Sequence, residues 1–136
     1  MTPLEARVTL TVRWRDLDML GHLNQAVYHE FLEEGRSALF ERLAQAGRGF
    51  AFVLARVELD YRHEVRRDHG SVEVVARVAR VGTSSITVEN DVVLPDGTIA
   101  ATGNSVLVAW DAQARTSRRL TDDERAALGA PTEVGT

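Results

Sequence analysis

One stretch constrains the fold of this chain more than any other. Between Gln25 and Ala46, Tyr28, Leu32, Gly35, Leu39, Leu43 and Ala46 recur at steps of three and four, the period of an α-helix. Val27, Phe31 and Ala38 widen that stripe. Nearly everything else alternates apolar with polar residues, the period of a strand. The spacing predicts a single helix about 33 Å long, at about 1.5 Å per residue. A helix this apolar around its circumference is expected to be enclosed on more than one side. Asn24 is placed to serve as its N-cap and Gly47 as the residue after its C-cap.

The flanking segments read as strands. Val8, Leu10, Val12 and Trp14 alternate with Thr9, Thr11 and Arg13. "FVLARVELDYR" puts Val53, Ala55, Val57, Leu59 and Tyr61 on one face and Arg56, Glu58, Asp60 and Arg62 on the other. "SVEVVARVARV" slips phase near Ala79, as a bulge does. "ITVENDVVL" and "TIAATGNSVLVAW" flank "PDG", a strong hairpin signal. In "LTDDERAAL", Thr121 followed three residues later by Glu124 forms a capping box on a short helix. Residues 1–5 and 130–136 are expected to fray. This order predicts one α+β domain over residues 1–136: an antiparallel five-stranded sheet, its last four strands a meander, wrapped around one central helix, with a short C-terminal helix. The edge strands of such a sheet call for cover, and pairing them across a two-fold axis gives a dimer.

Composition removes several chemistries. With 44% apolar residues in 136, a single core is feasible. There is no cysteine, so disulfides, thiolate zinc sites and cysteine nucleophiles are excluded. All sixteen basic residues are arginine, which excludes a lysine Schiff base. The net charge of −4 and the lack of a basic block argue against general nucleic-acid binding. No apolar run approaches the roughly 20 residues of a membrane span. "MTPLEARVTL" has no basic segment followed by an apolar block, so no secretory leader is expected and the cytosol is the expected location. His22, His29, His63 and His69 lack the close two-histidine spacing of a zinc motif, and no metal or cofactor is expected. There is no G-x-S-x-G.

The chemistry-bearing stretch is "WRDLDMLGHLNQAVYHEF", Trp14 to Phe31. Asp16 and Asp18 lie just ahead of the helix, with Gly21, His22 and Asn24 between. A carboxylate there can act as nucleophile or general base. A helix N-terminus offers unpaired N–H groups to a developing oxyanion. An acid in a strand-to-helix turn can equally cap or solvate it, and periodicity leaves both readings open. "GTSS" at 82–85 likewise reads as a turn or as a phosphate nest.

"RWRDLDMLGHLNQAVYHEFLEEGR" resembles the signature of hotdog-fold thioesterases of the 4-hydroxybenzoyl-CoA thioesterase type. That signature runs roughly D-x-D-x-x-G-H-x-N-x-x-x-Y-x-x-x-x-E-x-x-R. The match falls on Asp16, Asp18, Gly21, His22, Asn24, Tyr28, Glu33 and Arg36. The similarity extends over nearly the whole chain; position 25 is Gln where many relatives repeat Asn. The resemblance implies a hotdog fold and hydrolysis of an acyl- or aryl-CoA thioester to free acid and CoA. Asp18 is then the catalytic carboxylate, and the backbone N–H of Gln25 polarises the carbonyl. His22 and Asn24 shape the loop as part of the catalytic site, Asp16 is structural, Tyr28 packs the helix start against the sheet, and Gly21 and Tyr28 count among the substrate-binding residues. Arg66, Arg67 and Arg80, with Thr83, Ser84 and Ser85, are the expected contacts of the CoA end. Val53, Val57 and Leu59 are the expected acyl-pocket lining, at a subunit interface of a homotetramer built from dimers. Two other readings fit the same fold: a hydratase or dehydratase using His22 and Asp18, and an acyl-CoA-binding protein without turnover.

Overall fold

The structure is a computed structural model and describes residues 4–45 and 51–129. Ala46, Gly47 and the 130–136 tail lie outside them. Strand β1 spans Glu5–Thr11, helix α1 Gln25–Gln45, β2 Phe52–Tyr61, β3 Ser71–Val81, β4 Ser85–Val93, β5 Ile99–Asp111, β6 Thr116–Ser117 and helix α2 Asp122–Ala127. Short 3-10 turns at Trp14–Asp16 and Arg67–His69 join them. Of residues 1–5, expected to fray, 1–3 lie outside the described residues, while the Leu4 carbonyl accepts the Val78 N–H at 2.8 Å and Glu5 pairs with Arg77.

The fold is α+β: five long antiparallel strands in the order β1-β3-β4-β5-β2, with α1 against β1, β3 and β4 and the two-residue β6 on the end of β5. The expected four-strand meander is a three-strand one, β3-β4-β5. Strand β2 sits at the far edge beside β5, so the segment after it must cross the end of the sheet to reach β3. "RHEVRRDHG" carries no two-residue hairpin turn, and a crossing is what such a connection makes. "PDG" does form its hairpin: Gly97 has φ +91° and donates to the Leu94 carbonyl at 2.9 Å. Asp96 accepts the Thr98 N–H at 2.9 Å.

Helix α1 buries the predicted stripe of Val27, Tyr28, Phe31, Leu32, Gly35, Leu39 and Leu43. It is not enclosed all round in the single chain, since Glu30, Glu33, Glu34 and Glu41 are exposed on the other side. Gly35 is where helix and sheet come closest: a Cβ there would sit 2.7 Å from Val74 Cγ1. On the sheet side, Val72, Val74, Ala76 and Val78 of β3 and Ile86, Val88 and Val92 of β4 complete the core. A buried polar seam interrupts it. Arg36 donates to Ser105 Oγ at 2.9 Å, and Ser105 donates to Asn90 Oδ1 at 2.9 Å.

The phase slip at Ala79 is a register shift between Val78 and Arg80. A second shift, between Leu54 and Arg56, was not visible in the alternation. It returns Val53 to the outer face, opposite Val108, so Val53 does not share a face with Val57 and Leu59. At Gly103 the β5 backbone passes so close to β2 that a Cβ would run into the Glu58 carbonyl; only glycine permits that approach. The capping box of α2 forms as read: Glu124 N–H donates to Thr121 Oγ1 at 3.1 Å and Thr121 N–H to Glu124 Oε1 at 2.8 Å. Glu124 also receives Arg118 through both guanidinium nitrogens, at 2.7 and 2.8 Å.

Candidate active site

Two connections meet at one end of the sheet and build a cleft of about 490 Å³. One is the 17–24 loop between β1 and α1. The other is the crossing segment after β2. They are tied together by the Leu23 N–H to the Val65 carbonyl at 2.7 Å and by an antiparallel bridge between His22 and Arg66. Asp18, His22, Leu23, Asn24, Gln25 and Tyr28 form one wall, and Tyr61, Arg62, His63 and Glu64 the other.

The two acids of the opening stretch have separate fates. Asp16 is 1% exposed. It accepts the Arg13 N–H at 2.8 Å and the Arg13 guanidinium at 2.8–3.2 Å. Burial alone would raise its pKa, but Arg13 outweighs burial and holds the carboxyl below the usual range. Its backbone carbonyl receives the Asn24 N–H at 2.8 Å, which fixes the start of α1. Asp18, by contrast, lines the cleft. Its Oδ1 accepts the N–H groups of Leu20 at 2.9 Å and His22 at 3.1 Å, an Asx-type turn made possible by Gly21 at φ +75°. Its Oδ2 receives no hydrogen bond from the described residues. The carboxylate is therefore anchored through one oxygen and free at the other.

The helix start shows the same division. Asn24 caps α1, its Oδ1 accepting the Ala26 N–H at 2.9 Å and its carbonyl the Val27 N–H at 2.9 Å. The N–H of Gln25, first in the helix, has no acceptor among the described residues. Gln25 lines the same cleft as Asp18.

The remaining predicted residues are dispersed. Val57 and Leu59 pack against the core cluster around Tyr28 and Phe31 without lining the cleft. Arg66 belongs to the crossing segment without lining the cleft, and is paired with Asp68 at 2.9 Å and Glu64 at 3.4 Å. The Arg67 guanidinium sits 5.7 Å from the centre of the Trp14 ring. Arg80, Thr83, Ser84 and Ser85 are at the opposite end of β3 from Ser71, and one chain does not bring them to the cleft. The turn there is held by the C-terminal segment: the Gly82 carbonyl accepts Arg125 at 2.7 Å and the Thr83 carbonyl accepts the Leu120 N–H at 2.9 Å.

Tyr61, Arg62, His63 and Glu64 were missing from the expected site. Glu64 Oε1 lies 3.5 Å from His22 Nε2. The available signal was the run of charged and histidine side chains directly after β2, where a chain that must cross the sheet passes the β1–α1 loop. Among the described residues no group of three or more His, Asp or Glu side chains is placed to hold a metal. No described helix is long and apolar enough to cross a membrane.

A curled antiparallel sheet packed on one long helix is a hotdog fold. The chain belongs to the thioesterase-like superfamily, whose family model matches residues 12–132, and it is by class a thioester hydrolase. It is 35% identical to a thioesterase from Thermus thermophilus solved with coenzyme A and Zn; the likeness covers 91% of this chain and 97% of that one, with a TM-score of 0.80. The PA2801 protein of Pseudomonas aeruginosa is 30% identical over 93% of this chain and 98% of its own, with a TM-score of 0.79. YsmA of Bacillus subtilis (strain 168), an uncharacterized protein, is 26% identical over 121 residues, 88% of this chain and 82% of its own.

Proposed function

We propose that this chain hydrolyses an acyl- or aryl-CoA thioester to the free acid and CoA. One observation carries the reading: Asp18 and Gln25 line the same cleft, and the Asp18 Oδ2 and the Gln25 N–H each lack a partner among the described residues. The likeness to a thioesterase solved with coenzyme A supports CoA as the carrier. Gln25 N–H donates to the carbonyl oxygen and stabilises it as it gains negative charge. Asp18 Oδ2 attacks the carbonyl carbon, or takes a proton from a water that does. On the second route the C–S bond breaks as the water adds, the proton taken up by Asp18 passes to the departing thiolate, and the acid is released. On the first, loss of the thiolate leaves a mixed anhydride on Asp18, which water hydrolyses to the free acid, its proton going to CoA. His22 and Asn24 hold the loop, and Arg66 and Arg67 meet the phosphates of CoA.

The outer edge of β2 has no strand partner among the described residues, and Val53 and Leu54 on it are 38% and 46% exposed. We infer that a second copy covers this edge, giving a homo-oligomer built from dimers, in a cytoplasmic protein. Light scattering on the purified chain should give at least a dimer mass; a monomer at micromolar concentration contradicts that part.

The test of activity is thiol release across aryl-, short- and long-chain acyl-CoAs. Turnover of at least one is expected. Hydration of an enoyl-CoA without thiol release would favour the hydratase, and tight binding with no thiol released the non-catalytic binder.

A further inference from the structure

Tyr28 is 4% exposed, yet its hydroxyl has no hydrogen-bond partner among the described residues. A buried phenol usually finds one, because leaving it unpaired costs free energy. Nor is the oxygen sealed in: the side-chain polar atom found both unpartnered and closed off from solvent is Asn90 Nδ2. Tyr28 lines the cleft, and that is the opening left to it. Three residues after Gln25, its side chain stands on the same face of α1 as the Gln25 side chain, and both residues line the cleft. Its ring is fixed by an edge-to-face contact with Tyr61, centroids 4.9 Å apart, so its orientation is set before any substrate arrives. Burial, with Tyr61 beside it, pushes the phenol up to about 12, which keeps it a proton-bearing donor across the working pH range.

We infer that the Tyr28 hydroxyl is a second hydrogen-bond donor to the thioester carbonyl oxygen, alongside the Gln25 N–H. This rests on the proposed thioesterase reading. The carbonyl oxygen is the acceptor that every acyl-CoA brings to the cleft. A donor aimed at it is worth more as the oxygen becomes an oxyanion than in the bound substrate.

Tyr28→Phe tests this with the ring packing kept. The hydroxyl has no partner among the described residues, so the thermal midpoint should not fall. For every acyl-CoA the parent cleaves, kcat should fall at least about tenfold while KM changes less than about twofold. Unchanged kcat, a loss confined to KM, or a loss confined to acyl groups carrying an extra oxygen overturns the inference. A second arm measures affinity, by calorimetry, for a trifluoromethyl-ketone analogue of acyl-CoA, whose hydrate mimics the tetrahedral state. The parent should bind it more tightly than Tyr28→Phe, and equal affinity overturns the role. If the parent cleaves but Tyr28→Phe is unimpaired, Tyr28 alone fails. If the parent neither cleaves the panel nor binds the analogue, the thioesterase reading fails and takes this inference with it.

Discussion

Asp16→Asn is the substitution whose outcome the structure specifies most fully. Asparagine keeps the shape and one acceptor oxygen. It removes the charge and the second oxygen, and it turns an amide NH₂ toward the Arg13 guanidinium or backbone N–H. The native carboxylate is 1% exposed and takes contacts from Arg13 at 2.8–3.2 Å. Hydrogen bonds to a buried charged group are worth about 1.5–3 kcal/mol. The Arg13 side chain is 49% exposed, so water recovers part of its solvation and screens the pair. The expected loss is therefore about 2 kcal/mol, below the cost of breaking a fully buried pair. For a chain of this length it is a fall in thermal midpoint of roughly 6–10 °C. The pH dependence has a definite sign. A carboxyl whose folded pKa is depressed contributes stability that is present above its unfolded pKa and is lost as pH falls through the folded value. Parent and variant should differ fully at pH 7 and converge as the pH drops below about 4. Thermal melts followed by circular dichroism across that range are the assay. A midpoint shift under about 2 °C at pH 7, or a gap as large at pH 3 as at pH 7, refutes the reasoning.

Three further outcomes follow from the same geometry. Gln25→Pro deletes the free N–H at the first helical position, where proline is well tolerated; kcat should fall about 10²–10³-fold with the helix content unchanged, as read by thiol release and far-ultraviolet circular dichroism. Neutralising Arg66 and Arg67 together should raise KM for an acyl-CoA and leave a short pantetheine thioester unaffected, and equal effects on both would remove them from CoA binding. Gly103→Ala forces a Cβ onto the Glu58 carbonyl and should cost at least about 2 kcal/mol in denaturant unfolding; an unchanged midpoint would mean β5 and β2 separate easily.

Local features of the site were legible in the sequence, and features made by topology were not. Asp18, Gly21, Asn24 and Gln25 are neighbours along the chain, so a strand ending, a glycine and a capping residue were enough to place a carboxylate at a helix start. The opposite wall, Tyr61 to Glu64, exists because β2 pairs with β5 at the far edge and its exit must cross the sheet. Nothing in the alternation of "FVLARVELDYR" states that pairing. The two bulges make the same point. Near Ala79 the apolar phase visibly slips, because the alternating valines change parity. Near Ala55 both parities are apolar, with Phe52 and Leu54 in one and Val53 and Ala55 in the other, so the shift is invisible and Val53 is placed on the wrong face. Arg80 and the 83–85 turn were grouped with Arg66 and Arg67 by composition, although the length of β3 separates them.

The most direct measurement is thiol release by Asp18→Asn. Asparagine can still accept the Leu20 and His22 amides through Oδ1, so the loop and the thermal midpoint should be preserved. With the free carboxylate oxygen gone, turnover of the best acyl-CoA should fall at least about 10³-fold. Turnover within a few-fold of the parent would show that the cleft works without this oxygen, and the account would fail.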